Sequence, residues 1–147
     1  MRELITAAKE YLGQVYRIDE RINAKLEQVT ALRSLAAKAT ATLSDMPRPE
    51  SPNHSRMEDL ILKIIGLESD INADIDRLVD LKREVGKAIN ALGHPEYQTL
   101  LELRYLCFKS WCEICVALGY EDRYVFKVHG RALEALANNF LAGSKRH

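Results

Sequence analysis

Glycine, proline and cysteine are all scarce in this chain. Seven glycines and four prolines are distributed over 147 residues, so few positions interrupt a helix and helix is favoured throughout. The cysteines are an odd number, Cys107, Cys112 and Cys115, which argues against a framework of disulfides. The scarcity of these residues therefore predicts an all-α fold that is held together without disulfide bonds.

Long apolar runs are also absent. No stretch approaches the roughly 18 apolar residues of a membrane span. The N-terminal segment, which begins Met1-Arg2-Glu3-Leu4, lacks the apolar core of a signal peptide. We expect no contact with a membrane and a location in the cytoplasm.

Catalytic motifs are missing too. The sequence contains no glycine-rich phosphate loop, no Gly-x-Ser-x-Gly and no His-Glu-x-x-His, which are the local patterns of phosphate-binding, serine-hydrolase and zinc-protease sites. The sequence therefore predicts a protein that is not an enzyme, with no catalytic residues and no cofactor.

The net charge is zero, but the charges are unevenly distributed. Residues 55–95 carry six basic and eight acidic side chains, whereas the segment from Arg123 onwards carries five basic side chains against the single acid Glu134. A basic C-terminal segment is the kind of electrostatic footprint that binds nucleic acid, although five cations neutralise few phosphates.

Two long helices are predicted from apolar residues at steps of three and four. The first covers residues 2–42, and its seam is Leu4, Ala8, Tyr11, Val15, Ile18, Ile22, Leu26, Val29, Leu32 and Leu35. The second begins at a capping box formed by Ser55 and Glu58 and ends near Leu92, before Gly93-His94-Pro95. Its seam is Met57, Leu60, Ile61, Ile64, Leu67, Ile71, Ile75, Leu78, Leu81, Val85, Ile89 and Leu92.

A proline-rich loop, residues 44–54, separates these helices. Narrow matching seams favour an antiparallel coiled-coil hairpin over residues 1–93, in which each helix covers the other. An extended dimeric coil is the alternative. A pair of helices leaves some apolar edge exposed, so a homodimer is also expected.

A different pattern follows Pro95. Residues 96–108 predict one helix, Ser110 caps a short helix over 111–118, and Gly119 ends it in the left-handed conformation. A longer helix follows over about 122–140, and residues 141–147 predict a flexible tail. A short helix, a tight glycine turn and a longer basic helix are typical of a helix-turn-helix domain, here over residues 96–140.

The predicted DNA-binding residues lie on one face of the longer helix, while Ile114, Leu118 and Val125 form the core behind it. The first turn of such a helix enters the major groove, and residues further along meet phosphate. Asp122 could accept a hydrogen bond from cytosine or cap the helix. The predicted DNA-binding residues are Asp122, Arg123, Tyr124, Lys127 and Arg131.

Three other features of the sequence have structural interpretations that are favoured over functional ones. Cys112 and Cys115, with Cys107 and His129 nearby, make a weak metal pattern because zinc needs four ligands in a tetrahedron; core packing is favoured, and no metal site is predicted. His129 is interpreted as structural, with a groove contact as the alternative. The acids Asp70, Asp74, Asp76 and Asp80 are predicted to form a solvated helix face.

The C-terminal third also resembles region 4 of sigma-70-type factors. The resemblance is carried by Leu103-Arg104-Tyr105-Leu106, Trp111-Cys112-Glu113-Ile114, Ala117-Leu118-Gly119-Tyr120, Val125 and His129-Gly130-Arg131-Ala132-Leu133. No region-2-like segment is present, and Glu121 stands where a serine or threonine usually caps the reading helix. The resemblance therefore implies a DNA-binding regulator rather than a complete sigma factor.

Nearly the whole chain resembles the ArpU- and RinA-like late transcription activators of phages and integrated elements of Gram-positive bacteria. The Leu-Ser-Asp-Met-Pro-Arg loop at 43–48 and the stretch at 72–76 contribute to this resemblance. It implies an activator of late genes that binds double-stranded DNA in a bacterial host cell and contacts RNA polymerase. The alternative is an adaptor that binds RNA polymerase or a host factor through the coiled coil.

Overall fold

The computed structural model describes residues 2–44 and 52–145, with side chains for residues 2–41 and 55–143. These residues form an all-α fold without strands, as predicted. Five α-helices follow in chain order: α1 (Arg2–Ser44), α2 (Pro52–Asn90), α3 (Pro95–Leu101), α4 (Trp111–Leu118) and α5 (Asp122–Lys145). None of the helices in the described ranges is long and apolar enough to cross a lipid bilayer.

Several helix ends differ from those predicted. α2 already begins at Pro52, because proline suits the first turn of a helix, where its missing N–H has no acceptor. The predicted capping box at Ser55 is therefore wrong, since Ser55 lies inside the helix. α5 continues past the predicted end at residue 140 to Lys145. Residues 45–51, most of the predicted proline loop, lie outside the described residues.

The segment between α3 and α4 is more irregular than the helix predicted over 96–108. A π-helical turn, Glu102–Leu106, continues α3, and Lys109 N–H then donates to the Leu103 carbonyl at 2.9 Å. Phe108 adopts a positive φ of 58°, a conformation that costs an L-residue roughly 1–2 kcal/mol. Its ring packs edge-on against Tyr16 at 5.5 Å, which helps to offset that cost.

The chain divides into two compact units, Met1–Arg17 with Leu78–His147, and Ile18–Arg77. We call them the terminal unit and the middle unit. The division falls inside α1 and α2, whereas the sequence predicted a domain boundary between residues 93 and 96. The start of α1 and the end of α2 therefore belong with the three C-terminal helices.

The terminal unit has one continuous apolar core. Residues from α1 and α2 pack with residues of α3, α4 and α5, since all these helices bury an apolar stripe at helical spacing. The predicted seams omitted Leu12, which is completely buried. The core is formed by Ala8, Leu12, Val15, Val85, Ile89, Leu100, Leu101, Tyr105, Ile114, Val125, Val128, Ala132, Leu133, Leu136 and Ala137.

In the middle unit, segments of α1 and α2 run antiparallel. Lys25 Nζ lies 2.6 Å from Asp74 Oδ2, and Arg33 Nη2 lies 2.8 Å from Glu68 Oε1. As the residue number in α1 rises from 25 to 33, the residue number of its partner in α2 falls from 74 to 68, so the two segments run in opposite directions. The predicted antiparallel direction is found here, while supercoiling of the pair stays a prediction.

Asp74 does not lie on a solvated face, so the prediction for this member of the acidic cluster is wrong. Asp74 is buried, with 6% of its surface exposed, and the Lys25 ammonium donates a hydrogen bond to its carboxylate. The hydrogen bond from Lys25 lowers the pKa of Asp74 despite the opposing effect of burial. A buried ion pair between two helices favours the one register in which the charges meet.

The predicted seams were also too broad. Leu26, Leu35, Ile61 and Ile75 are 40–50% exposed, whereas Ile18, Ile22, Val29, Ile64 and Ile71 are buried. Apolar residues at steps of three and four fit more than one face of a long helix, and only the packing shows which face is covered.

Candidate nucleic-acid interface

α4 begins at a complete capping box. Ser110 Oγ accepts a hydrogen bond from Glu113 N–H at 3.2 Å, and Ser110 N–H donates to the Glu113 carboxylate at 3.4 Å. The predicted cap at Ser110 is confirmed, and Glu113 adds the reciprocal bond. The hydrogen bonds from Ser110 lower the pKa of Glu113. Two amides that would otherwise lack acceptors are satisfied, so the start of α4 is well defined.

α4 ends at Gly119, as predicted. This glycine has φ 71° and ψ 31°, and its N–H donates to the Cys115 carbonyl. The N–H of Tyr120 donates to the same carbonyl at 3.1 Å. The left-handed conformation suits glycine, which has no Cβ to clash. α5 then begins after Glu121, so only three residues separate the two helices.

Apolar residues join α4 to α5 behind the outward face of α5. Ile114 and Val125 are completely buried, and Leu118 is partly buried against the same core. Two of the three residues predicted to form the shared core are therefore found in it, and Leu118 packs against it. The packing fixes the position of α5 against α4 within the terminal unit.

His129 lies inside this core rather than on the outward face. It is 8% exposed, its Nε2 is hydrogen bonded to the Tyr105 hydroxyl at 2.7 Å, and the Trp111 ring meets it edge-on at 4.7 Å. Burial, with smaller effects from the cations Lys9 and Arg104, lowers the pKa of His129 to about 4. The imidazole is neutral at pH 7, which confirms the structural interpretation.

Three predicted cations lie on the face of α5 that points away from the core. Arg123, Lys127 and Arg131 are exposed, and their steps of four place them on one side of the helix. The buried residues of the same helix, including Val125, Val128 and Ala132, lie on the opposite side. Within the described side chains, none of these cations forms an ion pair.

The other two predicted site residues have partners within the protein. Asp122 Oδ1 accepts a hydrogen bond from the Cys115 thiol at 3.2 Å, and this bond raises the pKa of Cys115. Tyr124 packs edge-on against Tyr120 with ring centres 4.7 Å apart. Hydrogen bonding to the Glu96 carboxylate raises the pKa of Tyr124. Both side chains are exposed, but both also help to fix the start of α5.

Gly130 lies on the same face and was not among the residues predicted from the sequence. It is exposed between Lys127 and Arg131, and a Cβ added there would meet nothing within 4 Å. A glycine inside a helix costs about 1 kcal/mol relative to alanine, and no packing among the described residues of the terminal unit requires it. The detectable signal was a glycine in the middle of a basic helix.

The prediction of core packing is wrong for Cys107 and Cys112, whereas Cys115 is partly buried and packs against the core. Cys107 and Cys112 are exposed, and Cys115 is intermediate. Among the described residues, no three His, Cys, Asp or Glu side chains are grouped as a metal site would require.

Residues 50–137 match a protein family described as "Protein of unknown function (DUF1492)". The match covers α2, α3, α4 and most of α5, so it includes the capping box, the Gly119 turn and the three outward cations. No curated protein matches the chain, and no solved structure matches it.

Proposed function

The chain belongs to the DUF1492 family, and we propose that it is a sequence-specific regulator of transcription that binds double-stranded DNA in the bacterial cytoplasm. The observation that carries this proposal is the row of cations Arg123, Lys127 and Arg131 on the outward face of α5, which form no ion pair with any described side chain. A capped α4 packs behind that face, so the cations project from a rigid support.

The proposed geometry places α5 in the major groove. The groove is about 12 Å wide and admits one helix, and an arginine can donate two hydrogen bonds to guanine O6 and N7. Arg123, in the first turn of α5, is assigned to base edges, and Lys127 and Arg131 to phosphates. Asp122 and Tyr124 stay in the proposed site as residues that fix the first turn and border the groove.

The resemblance to region 4 of sigma factors and to ArpU- and RinA-like activators supports the same function. On that basis we propose that the protein activates late genes of a phage or integrated element and contacts RNA polymerase. Three cations neutralise few phosphates, so one copy would bind weakly and with a modest dependence on salt. Pairing of two copies would compensate by doubling the contacts.

To test the proposal, a DNA duplex is selected from a random library. Its affinity for the wild type and for three variants, Arg123→Ala, Lys127→Ala and Lys87→Ala, is then measured by fluorescence anisotropy at several salt concentrations. Arg123→Ala is expected to weaken binding by about 1–3 kcal/mol and relax specificity, while Lys127→Ala should reduce the salt slope by about one. Lys87→Ala is the matched control, because Lys87 is an exposed cation of the terminal unit outside α5. It should bind like the wild type.

Equal affinity of all four proteins would refute the assigned face. Selection of no preferred sequence, with binding that disappears at physiological salt, would refute a sequence-specific regulator. Thermal unfolding of each variant distinguishes a lost contact from a lost fold, because substitutions of exposed side chains change stability by only about 0.5 kcal/mol.

An adaptor that binds RNA polymerase or a host factor is the second candidate. It is favoured by Val116, which is 83% exposed on α4 beside a shallow groove lined also by Leu103, Cys112 and Ala117. Pull-downs from a Gram-positive host, with and without nuclease, compare the wild type with Val116→Asp. Loss of all partners after nuclease treatment would exclude the adaptor, while a nuclease-resistant partner lost only from Val116→Asp would support it.

A further inference from the structure

Apolar side chains occupy two different faces of α2. One face includes Ile64 and Ile71 and is buried in the middle unit. A second face carries exposed isoleucine and valine side chains, of which Ile65 is 58% exposed. We call this second set the outer row, and it consists of Ile61, Ile65, Glu68, Asn72, Ile75 and Val79.

The spacing of the outer row is that of a coiled-coil seam. Its members follow at steps of four, three, four, three and four, which repeat every seven residues and keep one line of side chains facing a partner helix. Ile61, Ile75 and Val79 are 47%, 40% and 49% exposed, so a large part of each side chain is open to solvent. A row of this kind on a helix that already buries another face indicates a second helical partner.

The order of residue types in the outer row is the same in both directions. Two apolar residues are followed by two polar ones and then by two apolar ones. When a second α2 is placed antiparallel about a two-fold axis near residue 70, Ile65 faces Ile75 of the second copy and Ile61 faces Val79. Glu68 faces Asn72. A two-fold interface uses the same surface on both subunits, and this order satisfies that requirement.

The polar centre of the row favours the antiparallel arrangement. In a parallel pair Glu68 would face a second Glu68, and the two carboxylates would repel each other. In the antiparallel pair the Asn72 side-chain amide can donate to the Glu68 carboxylate, twice by symmetry. Arg33 already pairs with Glu68 at 2.8 Å, so the carboxylate would not enter the interface as an isolated charge.

We propose that the outer row of α2 is the interface of an antiparallel homodimer, in which Ile65 packs against Ile75 of the second copy and Asn72 bonds to its Glu68. The two-way order of the row is the reason to assign it to a second copy, since an unrelated partner places no such condition on the sequence. The proposal does not rest on DNA binding, because self-association is measured without DNA.

The test is sedimentation equilibrium of the full chain at about 10–100 µM, a range in which a micromolar dimer is populated. The wild type is expected at twice the chain mass of 16.7 kDa. Ile65→Glu should weaken association at least about a hundredfold, because two buried side chains become charged in each dimer. Leu62→Glu is the matched control: Leu62 is 66% exposed on the same helix but lies outside the row.

A charge pair tests the register. Ile75→Lys alone should also give a monomer, whereas the double variant Ile65→Glu/Ile75→Lys should recover the dimer, since each new carboxylate would face a new ammonium of the second copy. A parallel pair would place like charges opposite each other and would not recover. Circular dichroism checks that each variant keeps the helix content of the wild type.

Three results would overturn the proposal. They are a monomeric wild type at the highest concentration, equal losses for Ile65→Glu and Leu62→Glu, and a double variant that stays monomeric while folded. In the first of these cases, loss of binding to purified RNA polymerase in Ile65→Glu would assign the outer row to a different protein.

Discussion

Lowering the pH from about 7.5 to about 5 is expected to destabilise the terminal unit through one residue, His129. Its pKa is about 4 in the folded protein, against roughly 6.5 in an unfolded chain. The unfolded state therefore takes up a proton more readily than the folded state. The stabilisation is fully present above about pH 6.5 and decreases as the pH falls towards 4.

The magnitude follows from the size of the pKa difference. Each pKa unit corresponds to about 1.4 kcal/mol, so a difference of about 2.5 units limits the effect to roughly 3 kcal/mol. At about pH 5 most unfolded chains but few folded ones carry the proton, and the expected loss is about 2 kcal/mol. The Tyr105 hydroxyl could still pair with a protonated ring, but burial and the cations Lys9 and Arg104 would oppose the charge.

Urea unfolding followed by circular dichroism at both pH values measures the loss. His129→Gln is the control, because glutamine can accept a hydrogen bond from Tyr105 but cannot bind a proton in this range. The variant should be less stable than the wild type at neutral pH, yet nearly insensitive to the change. Equal losses for both proteins, or a His129 pKa above about 6 by NMR titration, would refute the reasoning.

Three further predictions, each with its own control variant, test other parts of the fold. Gly130 and Gly66 are both open to solvent in helix interiors, so Gly130→Ala and its control Gly66→Ala should each raise the free energy of unfolding by about 1 kcal/mol in thermal melts. Only Gly130→Ala should weaken DNA binding. Equal affinities of the two variants for DNA would show that Gly130 lies outside the interface. Asp74→Asn should lower the midpoint of urea unfolding because it leaves the Lys25 ammonium without its counter-charge. The double variant Lys25→Met/Asp74→Leu should recover most of that loss, because it removes both charges. If Asp74→Asn were as stable as the wild type, the ion pair would contribute little to stability. Ser110→Ala should lower the free energy of unfolding in urea by about 1 kcal/mol, and Ser110→Asn should lower it much less, since asparagine also caps helices. Equal losses for the two variants would argue against the cap.

Local chemistry made part of the C-terminal region predictable. A serine before an apolar helix and a glycine after it fix both ends of α4, because capping and the left-handed conformation depend on single residue types. The exposure of Arg123, Lys127 and Arg131 also followed from their spacing around one helix. These predictions needed no knowledge of what lies elsewhere in the chain.

The long helices were harder to predict for a physical reason. Ile61 and Ile64 each fit a pattern of steps of three and four, and the pattern does not say which of two faces is covered. Asp74 was assigned to the surface because its charge suggests solvent, and its partner Lys25 is distant in sequence. Whether such a residue is buried depends on packing against residues that are distant in the sequence. A single sequence does not state these contacts.

The shared core of the terminal unit has a consequence for synthesis on the ribosome. Ala8 and Leu12 are buried in the same cluster as Leu136 and Ala137, which lie far later in the sequence. The cluster can close only after Ala137 has emerged, so contacts of very long sequence separation must form late and folding is slowed accordingly. Until then the nascent α1 exposes its apolar stripe, and a fragment that starts at Pro95 would lack the residues of α1 and α2 that close this core.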